Sequence, residues 1–167
     1  MRLRSGVARL IEEARQAGIQ IGLATSSASA NVQTLIATAF NQDVGSVVDA
    51  IVCADEVARK KPAPDIYESL LTLLQVRPSH CAAFEDSNNG LNADKAAGLF
   101  TVVTPTRWTI SQTFDTADLV LPGLGDPGNP LEPWIVRRIG CPYLELAQLE
   151  SLRSAKRPLP QLREAGS

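Results

Sequence analysis

The chain has 167 residues, 44% hydrophobic and 20% charged, with a formal net charge of −2, which is enough polypeptide for one domain with a sizeable core. The basic residues are scattered, so neither a nucleic-acid footprint nor a polybasic membrane patch is expected. No run of about 18 apolar residues occurs, and the opening MRLRSGVARLIEEA has neither a continuous apolar stretch nor a small-residue cleavage site, so the expectation is a soluble, cytoplasmic protein.

Along the chain, strand and helix signals alternate. VARLIEEARQAG sets Val7, Leu10, Ile11 and Ala14 on one helical face, with Gly18 as the stop. IQIGLAT, residues 19–25, predicts a short buried strand. Ser27 or Ser29 is a candidate cap for a helix through NVQTLIATAF, and DAIVCA predicts a second strand over 49–54. Pro62 and Pro64 open a helix through IYESLLTLLQV, since a first helical turn tolerates proline. CAAFE is the third predicted strand, LNADKAAG a helix ending at Gly98, FTVVT the fourth strand and ADLVL the fifth. This alternation predicts an α/β fold, a Rossmann-like, doubly wound parallel sheet. Residues 1–122 are expected to form the core. Residues 123–167 are expected to pack on the same domain as a Gly/Pro-rich loop, PGLGDPGNPLEP, then a helix in LELAQLESLRSA and a polar, fraying tail. Trp134 and Tyr143 are expected to dock this segment onto the core.

The polar residues stand at strand ends. In open parallel sheets ligands bind outside the carboxyl ends of the strands. Three clusters fall there: Thr25-Ser26-Ser27, Lys60-Lys61 and Glu85-Asp86. Hydroxyls and helix-start N–H groups hold phosphate oxygens, a lysine neutralises their charge, and a carboxylate pair suits a hard cation such as Mg²⁺. Two adjacent carboxylates repel by roughly 4 kcal/mol at ~4 Å and an effective dielectric of ~20. Either both point into water, or a shared metal offsets the repulsion.

LATSS, ARKKPAPDIY and AAFEDSNNGLNADKAAG resemble the second, third and fourth motifs of the haloacid-dehalogenase (HAD) superfamily phosphohydrolases, in the beta-phosphoglucomutase-like, CbbY-type branch. The resemblance covers residues 3–127. It implies a Mg²⁺-dependent phosphatase or phosphomutase acting on a small phosphorylated metabolite. By position, Thr25 would hydrogen-bond the transferring phosphoryl group and Lys61 would stabilise its charge. Glu85 and Asp86 would hold Mg²⁺, with Ser26, Ser27 and Asn89 near the substrate. The family's nucleophile is an aspartate in an N-terminal D-x-D-G-T motif. This sequence contains no D-x-D, nor the helical cap that the branch inserts after that motif. The chain is therefore expected to carry the supports of an active site without its nucleophile, and to be inactive alone. The family's nucleophile strand lies between the strands read here at 19–25 and 81–85. Its absence implies a sheet open at the centre, and with it a strand-donating partner or self-association. A non-catalytic descendant that binds phosphorylated ligands or a partner protein is the alternative function.

Four further residues have simpler expectations. Lys60 is a solvated charge beside Lys61, and His80, the one histidine, is a surface residue. Arg107 and Trp108 are expected to pack rather than to touch substrate. The three cysteines carry no metal or disulfide spacing; they are reduced thiols, with Cys53 and Cys81 as small core residues.

Overall fold

The structure, a computed structural model, describes residues 3–27, 32, 34, 38 and 44–155. In chain order these form α1 (Val7–Gln16), β1 (Gly22–Thr25), α2 (Val44–Val47), β2 (Ala50–Cys53), α3 (Asp65–Leu74), a 3-10 turn (Pro78–His80), β3 (Ala82–Glu85), α4 (Asn88–Ala96), β4 (Phe100–Val103), β5 (Leu119–Val120), α5 (Pro133–Ile139) and α6 (Leu146–Ser154). Every strand pairing is parallel, as the alternation predicts. The strands form two sheets, β1-β2 and β3-β4-β5, and among the described residues no strand pairs with the second edge of β1 or of β3.

Helices cover both faces. On one face α3 and α4 share a core of Val52, Ile66, Tyr67, Leu70, Ala93 and Leu99, joined by Ala24 of β1 and Ala83 of β3. On the other face, Leu10 of α1 packs with Val102, Leu119, Ile135, Ile139 and Leu149. The next α1 residue, Ile11, joins a separate cluster of Val47, Cys53 and Leu23. A single helix thus contributes to the cores of both sheets. It starts at Gly6, whose φ is +82° and where a Cβ would stand 2.4 Å from the Gly125 carbonyl oxygen. Only glycine fits that approach at that φ.

The predicted elements are present with shifted edges, and the shifts have causes. β1 begins at Gly22 rather than Ile19 because its partner β2 begins opposite, at Ala50. Upstream of that register the Asp49 carboxylate takes the Ile21 N–H at 2.7 Å, and Ile19 is exposed. α4 begins at Asn88 rather than at Leu91, so Asn88, Asn89 and Gly90 form its first turn. Ser87 caps it, its hydroxyl accepting the Gly90 N–H at 3.2 Å, and a first turn needs no intrahelical donors from those residues. The loop expected up to residue 133 runs directly into α5, which sequence analysis missed. Seven residues show less than two turns of periodicity, although Pro133 at its first position is a start signal.

The segment from 122 onward is tied to α1. Arg9 donates to the carbonyls of Gly125 at 3.1 Å and Leu144 at 2.9 Å, and its guanidinium lies 4.6 Å from the Tyr143 ring centre. Trp134 packs on the α1 side of the core. The helix expected over 31–40 falls mostly outside the described residues, of which Val32, Thr34 and Thr38 are helical; Ser29 and the tail beyond 155 also fall outside. No helix among the described residues is long and apolar enough to cross a membrane.

Candidate functional site

A cavity of about 530 Å³ opens at the carboxyl ends of β1 and β3. Thr25 and Ser26 reach it from the end of β1, and Glu85, Asp86, Ser87 and Asn89 from the end of β3 and the start of α4. Lys61 enters from the loop before α3, and Arg4 and Thr104 close the rim. The Thr25 hydroxyl accepts the Ser27 N–H at 3.1 Å, which leaves its own proton for a ligand. Arg4 donates to the Thr104 hydroxyl at 2.9 Å and to the carbonyls of Pro105 and Pro122, both at 3.0 Å. It thereby fixes the two loops that follow β4 and β5.

The centre of the site is a buried charge pair. The Lys61 ammonium donates to the Glu85 carboxylate, with side-chain exposures of 12% and 9%. Tyr67, in the first turn of α3, accepts from Lys61 at 2.6 Å and donates to the same Glu85 oxygen at 2.5 Å. Lys61 also stands 3.5 Å from the Ala24 carbonyl of β1, so one side chain connects the end of each sheet. Burial, with the Glu85 charge second, holds the Tyr67 hydroxyl far above its ordinary range, so it stays protonated and donates. Beside this group lies Asp94 of α4, fully buried; burial first, and then the Glu85 charge, push its carboxyl up to about 7.

This geometry changes the electrostatic account of the acid pair. Glu85 and Asp86 point apart: Glu85 turns inward to Lys61 and Tyr67, while Asp86 is exposed at the cavity. The charge of Glu85 is met by a lysine, so the mutual repulsion does not by itself call for a metal. The donors facing the cavity are nonetheless hard oxygens. Mg²⁺ is commonly held by one or two carboxylates together with water and substrate phosphate oxygens. Asp86, with Glu85 behind it, fits that set. Among the described residues the one group of three metal-type side chains within 4.8 Å of one another lies elsewhere, at Cys53, Asp55 and Glu56. There Glu56 already accepts the Cys53 N–H at 2.6 Å.

Of the expected site residues, Thr25, Ser26, Lys61, Glu85, Asp86 and Asn89 all line the one cavity. Ser27 does not, and contributes its backbone N–H to Thr25. Lys60 and His80 are exposed. Arg107 and Trp108, expected to pack, do not: the Trp108 ring is 76% exposed and carries the Arg107 guanidinium 4.5 Å from its centre. Sequence reasoning missed Arg4, for which no local signal exists. It also missed Tyr67 and Asp94, for which signals were present. Tyr67 ends the ARKKPAPDIY stretch, and Asp94 falls four residues after Gly90 and three after Leu91, on the buried stripe of α4.

Comparison with known proteins identifies the family. Residues 1–98 match the family model described as haloacid dehalogenase-like hydrolase. Protein CbbY, plasmid, of Cupriavidus necator is 46% identical over 129 residues, which is 77% of this chain and 51% of that protein. A crystal structure of a CbbY mutant from Rhodobacter sphaeroides in complex with xylulose-(1,5)bisphosphate superposes with a TM-score of 0.72 at 42% identity, covering 76% of this chain and 58% of that one. CbbY from the same organism in complex with phosphate gives a TM-score of 0.76 at 38% identity over 89% of this chain and 59% of that one. The chain spans about half the length of the curated relatives it matches.

Proposed function

We propose, for a chain that belongs to the haloacid dehalogenase-like hydrolase family, that the cavity between β1 and β3 binds the phosphoryl group of a small sugar phosphate, as part of a phosphatase or phosphomutase. One observation carries this reading: a hydroxyl, an ammonium and an exposed carboxylate, from three separate segments, converge on one cavity of about 530 Å³.

The residues divide the work. Thr25 donates its hydroxyl proton to a phosphoryl oxygen, with Ser26 beside it. Lys61 supplies positive charge where charge develops during transfer, and Tyr67 and Glu85 hold the ammonium in place. Asn89, on the first turn of α4, adds a polar contact at a helix start. Asp86, with Glu85, would hold Mg²⁺, which when bound would neutralise phosphate charge. The remaining requirement is a nucleophile. The sequence contains no D-x-D pair, so this chain alone is expected to bind the phosphoryl group without turning it over.

The test is calorimetry with inorganic phosphate, alongside an assay on aryl and sugar phosphates. Binding that weakens in both Thr25→Val and Lys61→Met, without turnover above the Lys61→Met background, supports the reading. Failure of the unaltered chain to bind phosphate would overturn it. A second reading, a non-catalytic phosphate-binding descendant, draws on the same missing D-x-D. Phosphate affinity without turnover in the full-length gene product would favour that reading.

A further inference from the structure

We infer that Arg4 is an anion-binding residue of the cavity, one that acts through its charge and supplies the positive field that admits a phosphate dianion. The inference rests on the reading of this cavity as a phosphoryl site and adds to it a residue from the segment before α1.

The charge balance of the cavity calls for such a residue. Of the described side chains that line it, four are charged: Arg4, Lys61, Glu85 and Asp86. Lys61 and Glu85 form a buried ion pair, so beyond direct contact their two charges offset each other. Asp86 is exposed at the cavity and repels a phosphate dianion. Lys61, Glu85 and Asp86 together would therefore leave the cavity negative. Arg4 is the lining charge that balances Asp86, and it is held in a way that leaves its charge intact. Its guanidinium donates to the carbonyl and hydroxyl of Thr104 and to the carbonyls of Pro105 and Pro122. All four acceptors are neutral. Hydrogen bonds to neutral oxygens orient a guanidinium without cancelling its charge, and an arginine stays protonated throughout the pH range of a folded protein.

The group is also fixed at both ends. The Ser5 hydroxyl and the Gly6 N–H donate to the Asp126 carboxylate at 2.8 and 2.7 Å, which anchors the backbone beside Arg4. At the other end, Thr104 donates its own N–H to the Glu85 carbonyl at 2.7 Å. One residue thus ties the guanidinium to the strand end that carries Glu85 and Asp86. An exposed arginine loses rotamer freedom when it meets a ligand; Arg4 is ordered beforehand. A round cavity of about 530 Å³ is roughly 10 Å across, about one Debye length at 0.1 M salt. A phosphate held anywhere in it feels this charge.

The experiment is calorimetry with inorganic phosphate on the full chain at ionic strengths of about 20 mM and about 500 mM, where charge acts over roughly 20 Å and 4 Å. Arg4→Gln removes the charge, and Arg4→Lys keeps it without the planar fork. The expected result for Arg4→Gln is an affinity loss of about fivefold or more at the lower salt and less than about twofold at the higher, with Arg4→Lys within about twofold of the unaltered chain. Equal losses for the two variants at both salts would overturn the inference, because Arg4 would then only hold the loops after β4 and β5. An Arg4→Gln chain that binds phosphate like the unaltered one would overturn it too. A second measurement needs no variant and so no test of folding: the Arg4 Nε–H resonance of the unaltered chain should shift during phosphate titration with the calorimetric midpoint, and a resonance that stays still counts against the inference. Thr25→Val separates the two proposals. Binding that weakens in Thr25→Val and ignores Arg4→Gln defeats this inference alone, whereas no binding by the unaltered chain defeats the phosphoryl reading beneath it as well.

Discussion

The Glu85 carboxylate occupies the space that a side chain at Gly90 would fill: a Cβ there would stand 2.0 Å from the Glu85 carboxyl carbon. The missing side chain of one residue thus sets the direction of a charge five positions earlier. With Gly90 in the first turn of α4, Glu85 lies back against the helix and meets Lys61 and Tyr67, while Asp86 alone faces out.

Gly90→Ala should therefore displace Glu85 and separate it from Lys61. Overpacking of this kind costs about 1–3 kcal/mol, read as a lower urea midpoint, and phosphate affinity should fall with it. Gly123→Ala is the control, because nothing lies within 4 Å of its added Cβ, and it should change stability by less than about 0.5 kcal/mol.

Removing one partner of a buried ion pair is more costly than removing both. Lys61→Met strands the Glu85 carboxylate at 9% exposure and should cost about 3–5 kcal/mol. Adding Glu85→Gln to Lys61→Met should restore most of that loss. A double variant no more stable than Lys61→Met would show that the pair is not the source of the cost.

Asp94 gives the stability a pH dependence of defined sign. Its carboxyl is raised from 3.8 to about 7 in the folded protein, by burial first and by the Glu85 charge second. The folded state thus holds the proton more tightly than the unfolded one. The stability this contributes is fully present below about pH 4 and is lost as pH rises to and through about 7, by at most roughly 4 kcal/mol. Asp94→Asn, which stays neutral, should flatten unfolding free energy between about pH 5 and pH 8 and raise it at the upper end. Parallel profiles for the two proteins would refute this.

Mg²⁺ alone should bind weakly, on the order of millimolar or poorer, because Glu85 is committed to Lys61 and one exposed carboxylate remains. Asp86→Asn should weaken it further. Micromolar binding by calorimetry would mean that Glu85 leaves the lysine when the ion arrives.

Arg9 joins α1 to the segment after residue 122 through Gly125, Leu144 and Tyr143. Arg9→Met keeps much of the stem but leaves two carbonyls without a charged donor. It should cost about 2–3 kcal/mol and speed amide exchange in α6, where Glu13 also accepts the Leu146 N–H at 2.8 Å. Unchanged exchange in α6 would show that the apolar core alone holds this segment.

The sequence by itself determined the order and kind of most elements, because short apolar runs, helical faces and proline starts are local signals read over four to twelve residues. It also brought Thr25, Lys61, Glu85 and Asp86 to one rim, because parallel strands present their carboxyl ends together. Only the tertiary structure decided which way those side chains turn. Glu85 faces Lys61, 24 positions away, and Lys61 reaches Ala24, 37 positions away. Such partners carry no trace in local periodicity. The same holds for Arg4, which reaches Thr104 across 100 positions, and for Asp94, whose place on a buried stripe was legible but whose neighbours were not. A site's residue types follow from local pattern; its charge balance follows from burial and contact, which exist only once distant segments have packed.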